Sequence, residues 1–475
     1  MSFETAIGLT MLGVMIAAIF LGFPISFTLL FLAFGFGWWG LGDVVFDLAY
    51  FQTIGLMKES LLAAVPLFIF MGFIAEQAGL MERLFGALRL MLAPVRGSLF
   101  IVVIVTAAAF AMATGIVGAA VTVLGIMAAP IMMRAGYDGR LAAGAITAGG
   151  TLGILIPPSV MLIVMGPVLG VSVADLYAAA IVPGFMLAGM YVIYVVARSY
   201  WNPKLGPALP KEERAASYWS ALGAFFGGVV PLAGLVAATL GSILAGLATP
   251  TEAAGMGAAG ALLLAAVYRR LTWERFQRAL LQSLGTSSMV LVLALTSNIF
   301  GAVFARLGAA DWITETLLAA PLPPTLMLAL VTVLIFLLGW PFEWPAVILV
   351  FLPIFYPVVV GLEVDLVWFG ALVAVTLQTA YLSPPVAMSA YYLKQVAKGW
   401  SLATIYKGMF EFMGIQAVAI ALIFLFPAIA TWLPEYLFDT GALVVSEPVT
   451  PSLSADPLGE SYDQMYQRSL ESLKQ

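Results

Sequence analysis

Two short stretches place glycines, hydroxyl side chains and a proline pair inside otherwise apolar sequence. They read GGTLGILIPPSV at residues 149–160 and TLQTAYLSPPVA at residues 376–387. A proline pair stops a helix and removes backbone donors, while glycine lets the backbone bend or approach a ligand closely. A helix that stops inside a membrane leaves carbonyl and N–H groups unpaired, which lipid cannot satisfy but a bound ion or carboxylate can. Both stretches are therefore candidate binding sites.

The groups available at these two breaks favour oxygen ligation. In the first break, the carbonyls freed by Pro157 and Pro158 and the hydroxyls of Thr151 and Ser159 would form a hard oxygen cage suited to sodium. The second break has less glycine and more side-chain oxygen. Its candidate residues are Thr376, Gln378, Thr379, Ser383, Pro384 and Pro385. Half-helix N-termini carry positive partial charge and suit an anionic substrate group. For each hydroxyl, the alternative to binding a ligand is a hydrogen bond back to its own preceding turn.

A third candidate is the acidic residue in the apolar segment GWPFEWP. Glu343 is the one carboxylate well inside such a segment, where a charge costs roughly 2.5–3.5 kcal/mol on insertion scales and usually serves an ion or a substrate. The alternative is a shallow loop tip whose carboxylate is simply hydrated. Trp340 and Trp344 are favoured as interfacial anchors, with the lining of a substrate cavity as the alternative. Tyr391 and Tyr392 are interpreted as an ordinary interface belt.

The elements that must position these residues are membrane helices. Hydrophobic residues make up 63% of the chain, charged residues 9%, and the mean hydropathy is +1.06, whereas soluble domains carry about 25% charged residues. The lack of cysteine and histidine excludes disulfides, thiolate chemistry and imidazole relays, and the sequence has no GxxxxGK[ST] loop for ATP hydrolysis. We therefore predict an all-α polytopic membrane protein, surrounded by lipid, that is neither an enzyme nor a nucleic-acid binder.

Lysine and arginine clusters indicate which loops face the cytoplasm. The threading that satisfies them starts outside and predicts ten crossings, at about 5–22, 23–41, 61–79, 141–170, 176–197, 217–240, 246–268, 279–305, 366–393 and 408–432. Residues 98–133 then form a re-entrant hairpin that opens inward, and residues 322–360 form one that opens outward. Both termini are predicted to be periplasmic.

The two proline pairs belong to an internal repeat. At an offset of about 227 residues, Pro130 superposes on Pro357 and Asp138 on Asp365. Because the two hairpins open on opposite sides, the halves are inverted repeats with paired interrupted helices, which is typical of secondary transporters. The predicted segments are N-terminal scaffold helices at 1–60, a first repeat at 61–200, a cytoplasmic linker at 201–216, scaffold helices at 217–278, a second repeat at 279–432 and a polar, disordered tail at 433–475.

With these motifs in place, the chain resembles the large membrane subunit of tripartite ATP-independent periplasmic (TRAP) transporters. The segments that carry the resemblance are VPLFIFMGFIAEQAGL (65–80), MMRAGYDGRLAAG (132–144), GILIPPSV (153–160), GLATPTEAA (246–254) and LSPPVA (382–387). The resemblance implies an elevator-type fold in the bacterial inner membrane and sodium-coupled import of an organic acid. It also implies two partners, a periplasmic substrate-binding protein and a small four-helix membrane subunit, with Na+ as coupling ion and no other cofactor.

In such transporters sodium lies between hairpin tips and broken helices. The resemblance therefore implies a first sodium cluster of Thr114, Gly115, Gly118, Gly149, Gly150 and Thr151, and a second of Gly339, Phe342, Glu343, Thr376, Thr379 and Ser383. Substrate contacts are expected from Thr114, Ser159, Glu343 and Gln378. Many relatives have a Ser-Gly-Ser first tip, but this chain has Ile116 in place of the second serine. The expected ligands at that tip shift accordingly to backbone carbonyls.

Two other functions stay open at this point. A stand-alone ion-coupled carboxylate symporter or antiporter would have the same breaks and need no binding protein. An intramembrane enzyme or a channel is disfavoured, because catalytic side chains are missing and an open pore does not need symmetric breaks.

Overall fold

The protein is helical over the ranges that the computed structural model describes, which are residues 2–115, 117–209, 218–384 and 387–439. Within these ranges nine helices are long and apolar enough to cross a membrane, or ten when one bent pair counts as a single span. The described residues form no β-strand. The predicted all-α polytopic class with about ten crossings is confirmed.

Three helices form the N-terminal region: α1 (Phe3–Phe20), α2 (Ile25–Leu41) and α3 (Val44–Lys58). The first two match predicted crossings. The third was not predicted, because it is short and carries Asp47 and Lys58 instead of a long apolar run. It forms by packing against α2 and against the long helix Trp273–Arg306.

The first half continues with α4 (Ala64–Gln77), α5 (Leu80–Leu92), α6 (Ser98–Thr114), α7 (Val117–Arg134), α8 (Gly139–Leu155), α9 (Val160–Leu169) and α10 (Val173–Trp201). Helices α6 and α7 form hairpin 1, which turns at Gly115 with a left-handed φ of +60°. Helices α8 and α9 bend by 45° at the first break. Both helices of hairpin 1 pack against α8, so the hairpin and the break form one unit.

The second half contains α11 (Tyr218–Val236), α12 (Ser242–Leu244), α13 (Pro250–Val267), α14 (Trp273–Arg306), α15 (Ala309–Leu318), α16 (Pro324–Leu338), α17 (Trp344–Ala346), α18 (Leu352–Gly361), α19 (Leu366–Leu377), α20 (Met388–Val396), α21 (Leu402–Leu425) and α22 (Ala428–Pro434). Hairpin 2 consists of α16 on one side and α17 with α18 on the other. The second break separates α19 from α20 and begins with a tight 3-10 turn at Gln378–Tyr381.

Equivalent positions in the two halves adopt the same local structure. Asp138 and Asp365 cap the N-termini of α8 and α19, each accepting a hydrogen bond from the backbone N–H three residues later, at 2.8 and 2.6 Å. Gly79 and Gly308, which join α4 to α5 and α14 to α15, both have left-handed φ angles of +74° and +71°. An aspartate N-cap stabilises a helix by accepting an unpaired N–H, so both broken helices begin in the same way.

The helices divide into two groups by their packing. The scaffold group consists of α2, α3, α4, α13 and α14, with α4 packed against both α13 and α14. Of these, α4 and most of α14 belong to the predicted repeats and not to the predicted scaffold segments. The body group consists of the two hairpins, the two broken helices, α10 and α21. Helix α8 lies at its centre, buried at every residue from Leu141 to Leu155. A side chain at Gly144 would lie 2.8 Å from the carbonyl oxygen of Gly408, so glycine there lets α8 and α21 approach closely.

The structure bears on two predicted segments, the linker and the tail. Residues 202–209 of the predicted linker contact the body group, since Gly206 and Leu205 accept backbone hydrogen bonds from Gly97 and Asp138, each at 2.9 Å. Residues 210–217 lie outside the described ranges. The start of the predicted tail at residue 433 is wrong, because helical structure continues to Asp439. Packing of α22 against α10 explains this extension. Residues 440–475 lie outside the described ranges, and the remaining domain boundaries stay predictions.

Candidate functional site

The tip of hairpin 1 meets the first break. A Cβ atom at Gly115 would lie 3.6 Å from the carbonyl oxygen of Pro158 and 3.7 Å from that of Gly153. Two backbone carbonyl oxygens of the broken helix therefore lie close to the turn of the hairpin. This concentration of oxygen dipoles suits a hard cation. Of the neighbouring tip residues, the side chain of Thr114 and all of Ile116 lie outside what the structure describes.

The paired glycines before the first break allow close helix packing. A Cβ atom at Gly150 would lie 2.3 Å from Cγ2 of Val121 in α7, and one at Gly149 would lie 3.2 Å from Cβ of Ala107 in α6. Each glycine thus faces a different helix of hairpin 1. Their role in the geometry is to let the hairpin rest directly on the broken helix, which places its tip at the break.

The hydroxyls of the first break are bonded locally. Thr151 donates to the carbonyl oxygen of Ala148 at 2.8 Å, and Ser159 donates to that of Ile154. Both side chains are fully buried. The hydroxyls therefore follow the alternative of back-bonding to nearby carbonyls, while their lone pairs stay available as acceptors.

Hairpin 2 repeats this arrangement at the second break. A Cβ atom at Gly339 would lie 3.3 Å from Cβ of Ala380 in the tight turn of the break. Phe342 and Glu343 of the tip line a small gap together with Ala380, Tyr381 and Met388. Hairpin 2 therefore touches the second break at its tip, as hairpin 1 touches the first.

The second break is rich in buried hydroxyls. Thr376 donates to Leu372, Thr379 to Thr376 and Ser383 to Thr379, each to a carbonyl oxygen, at 2.8, 2.7 and 2.5 Å. All three side chains are almost completely excluded from solvent. Pro384 ends the turn, and Pro385 lies outside the described ranges.

The two breaks contact each other through equivalent residues. Oγ1 of Thr151 lies 3.4 Å from Oε1 of Gln378, and the two positions are 227 apart in the chain, the offset of the repeat. Nε2 of Gln416 in α21 lies 3.4 Å from the same Gln378 oxygen. All three side chains are fully buried. The centre of the body group is therefore a polar contact between the two halves.

A cavity of about 320 Å³ lies where both tips and both breaks converge. Its lining includes three predicted site residues, Gly115, Gly118 and Glu343. The scaffold helices α4 and α14 complete the wall. The other residues that line it are Ile69, Val117, Ile154, Val160, Gly285, Thr286, Met289, Val290, Trp344, Pro345, Tyr381, Met388 and Tyr392.

Two predicted substrate residues, Ser159 and Gln378, are fully buried and are not among the described residues that line this cavity. The side chain of a third, Thr114, lies outside what the structure describes. Trp344 follows the alternative of lining the cavity. The interpretation of Tyr392 as an ordinary interface residue is wrong, because its side chain lines the cavity too. Tyr381, which no sequence motif singled out, is also a lining residue, and its position three residues before the second proline pair was the available signal.

The described residues that line the cavity include few charged groups. Glu343 is the single carboxylate among them, and neither lysine nor arginine is present. No group of three acidic side chains that could hold a metal ion occurs in the described part of the chain. A cation bound here would therefore be held by carbonyl and hydroxyl oxygens together with at most one carboxylate.

Comparison with known proteins places this geometry in context. Residues 12–429 match the family model described as tripartite ATP-independent periplasmic transporter, DctM component. Over 446 residues the chain is 28% identical to the C4-dicarboxylate TRAP transporter large permease protein DctM of Rhodobacter capsulatus, covering 90% of this chain and 99% of that protein. Over 428 residues it is 29% identical to the sialic acid TRAP transporter large permease protein SiaM of Vibrio cholerae, covering 89% and 97%. The match extends over both hairpins and both breaks.

A solved structure shares the fold at lower sequence identity. The YdaH transporter of Alcanivorax borkumensis superposes with a TM-score of 0.57, covering 81% of this chain and 88% of that chain at 17% identity. At that identity the likeness concerns the fold alone.

Proposed function

Because this chain belongs to the DctM component family of tripartite ATP-independent periplasmic transporters, we propose that it carries an organic acid across the membrane together with sodium. The relatives in this family are transporter permeases and not enzymes. One observation supports the proposal most strongly. Both hairpin tips meet both helix breaks around one cavity, and Glu343 is the single charged side chain among its described lining residues.

The proposed substrate is a carboxylate. The Rhodobacter capsulatus relative is described as a C4-dicarboxylate transporter and the Vibrio cholerae relative as a sialic acid transporter. An anion inside a low-dielectric cavity needs a compensating positive charge. Since no lysine or arginine appears among the described lining residues, we infer that bound sodium and the N-termini of α7 and α9 provide it.

Sodium is proposed to bind at both contacts between a tip and a break. At the first contact the ligands would be mainly backbone carbonyls, including those of Gly153 and Pro158 near Gly115. At the second contact Glu343 and the carbonyls around Ala380 would contribute. Each sodium ion would join a hairpin to its broken helix, and the two clusters together would define the substrate cavity.

Alternating access is proposed to follow from movement of the body group against the scaffold group. The inverted repeat predicted from the sequence supports this, because two inverted halves can exchange conformations around a shared site near the midplane. The cavity wall contributed by Ile69 of α4 and Thr286 of α14 belongs to the scaffold and would be left behind when the body group moves. This is an elevator-type cycle driven by the sodium gradient.

The proposed partners are a periplasmic substrate-binding protein and a small four-helix membrane subunit. The proposed location is a bacterial inner membrane with both termini in the periplasm. The competing function is a stand-alone sodium-coupled carboxylate transporter, which would share the fold and the cavity.

Reconstitution separates the two functions. The protein would be placed in proteoliposomes alone, with the small subunit, and with both the small subunit and the binding protein. The acid would be chosen by a thermal-shift screen of that binding protein against organic acids. The proposal expects uptake of the radiolabelled acid only when all three components and an inward sodium gradient are present. Sodium-driven uptake by the large subunit alone would instead establish the stand-alone function.

A further inference from the structure

The cavity contains neutral hydrogen-bond donors where a carboxylate would need them. Its polar lining side chains in the described part of the chain are Thr286, Glu343, Trp344, Tyr381 and Tyr392. An ionised glutamate only accepts hydrogen bonds, so it cannot bind a carboxylate directly. Recognition of an anion therefore falls to the hydroxyls, to backbone N–H groups and to bound cations. The two tyrosines have the longest reach and come from the two sides of the second break.

The side chain of Tyr381 lines the cavity beside that of Trp344. A phenol hydroxyl can donate one hydrogen bond as well as accept others, so Tyr381 can donate to a carboxylate in the cavity.

The hydroxyl of Tyr392 lies beside the N-terminus of α7. A Cβ atom at Gly118, the second residue of that helix, would lie 3.3 Å from the Tyr392 oxygen and 3.0 Å from Cζ. The first N–H groups of a helix have no partner within the helix and carry positive partial charge. A carboxylate that reaches both the Tyr392 hydroxyl and the N-terminus of α7 would thus receive donors from the second half and from hairpin 1 together.

Glu343 lines the same cavity as both hydroxyls. Its carboxylate acts electrostatically on Tyr381 and on Tyr392. A sodium ion on Glu343 would occupy the carboxylate oxygens and remove the charge that repels an anionic substrate.

We propose that the hydroxyls of Tyr381 and Tyr392 bind a carboxylate group of the substrate, and that sodium at Glu343 offsets the negative charge that would otherwise repel this group. The inference rests on the proposed function, because it requires a carboxylate substrate and a sodium ion. It assigns substrate recognition mainly to the second half of the chain.

The test compares matched tyrosine variants of the complex of large and small subunits in nanodiscs. Tyr381→Phe and Tyr392→Phe each remove one hydroxyl, and Tyr391→Phe removes the neighbouring one, whose side chain is exposed on the outer surface. The probes are succinate, lactate and 2-oxoglutarate at saturating sodium, and sodium alone, each followed by thermal shift. We expect each cavity variant to raise the acid concentration at the midpoint of the titration about tenfold or more, equivalent to about 1.4 kcal/mol of binding free energy. The midpoint for sodium alone should change less than about twofold, and Tyr391→Phe should match the wild type.

The outcomes distinguish this inference from the proposed function. If the wild type binds one of the three acids but the cavity variants bind it equally well, the tyrosine assignment is overturned and the proposed function stands. An equal loss in Tyr391→Phe also overturns the assignment. If the wild type binds none of the acids at any sodium concentration, both the assignment and the proposed function fail.

Discussion

Replacing Gly150 by alanine should separate hairpin 1 from the first break. The added Cβ would lie 2.3 Å from Cγ2 of Val121, whereas ordinary contact begins at 3.4 Å, and it would lie 3.3 Å from the Val121 backbone nitrogen. Because valine has few alternative rotamers in a helix, α7 must move rather than the side chain alone. Inserting a methyl group into such packing costs about 1–3 kcal/mol.

The matched control for this variant is Gly189→Ala in α10. A Cβ atom at Gly189 would have no neighbour within 4 Å. Both variants gain the same helix propensity, about 1 kcal/mol for alanine over glycine. Their difference in stability should therefore isolate the packing cost, with Gly150→Ala lower by about 1–3 kcal/mol.

Sodium binding gives the more specific measurement. Movement of α7 would carry Gly115 away from the carbonyls of Gly153 and Pro158, so the first sodium site should weaken. The assay is a thermal-shift titration with sodium, with choline chloride as the ionic-strength control. We expect the sodium concentration at the midpoint to rise fivefold or more, up to about 100-fold if most of the packing cost opposes binding. If Gly150→Ala had the stability and sodium midpoint of Gly189→Ala, the contact between hairpin 1 and the first break would not form a sodium site.

Three further predictions follow from the same geometry. Glu343→Gln should raise the sodium concentration for half-maximal uptake at least tenfold, because it removes the charged ligand at the second tip, while Glu343→Asp should retain part of the sodium response. The effects of Thr151→Val and Gln378→Leu on stability should be non-additive, with a coupling of about 0.5–1.5 kcal/mol in thermal unfolding, since each removes one partner of the same buried contact. Additive effects would mean that the contact makes no measurable contribution to stability. Asp138→Ala and Asp365→Ala should each destabilise the protein by about 0.5–2 kcal/mol, because each removes the N-cap of a broken helix, and a neutral result in either would show that its cap contributes nothing measurable.

Much of the fold follows from local chemistry. The proline pairs stop helices wherever they occur, and an aspartate before a helix accepts an unpaired N–H, so Pro157, Pro158, Asp138 and Asp365 could be interpreted without tertiary information. The long apolar runs set the number of crossings. The short helix α3 was missed because its stability depends on packing against α2 and α14, which no local pattern encodes.

The composition of the cavity was less predictable. Aromatic residues near the end of a membrane segment have the same sequence pattern whether they anchor at an interface or line a site. Tyr391 and Tyr392 are neighbours, yet the first is 45% exposed and the second faces the cavity beside Gly118. That distinction depends on how α20 packs against α7, a contact between residues far apart in the chain.

The central claim is that sodium bound at the two contacts between tips and breaks drives uptake of an organic acid. The most direct test is initial uptake of the radiolabelled acid into proteoliposomes that contain the large and small subunits, with the binding protein outside. An imposed inward sodium gradient should drive accumulation, and replacing external sodium by choline should abolish it. Accumulation at the same rate without sodium, or driven equally well by a proton gradient alone, would contradict the claim.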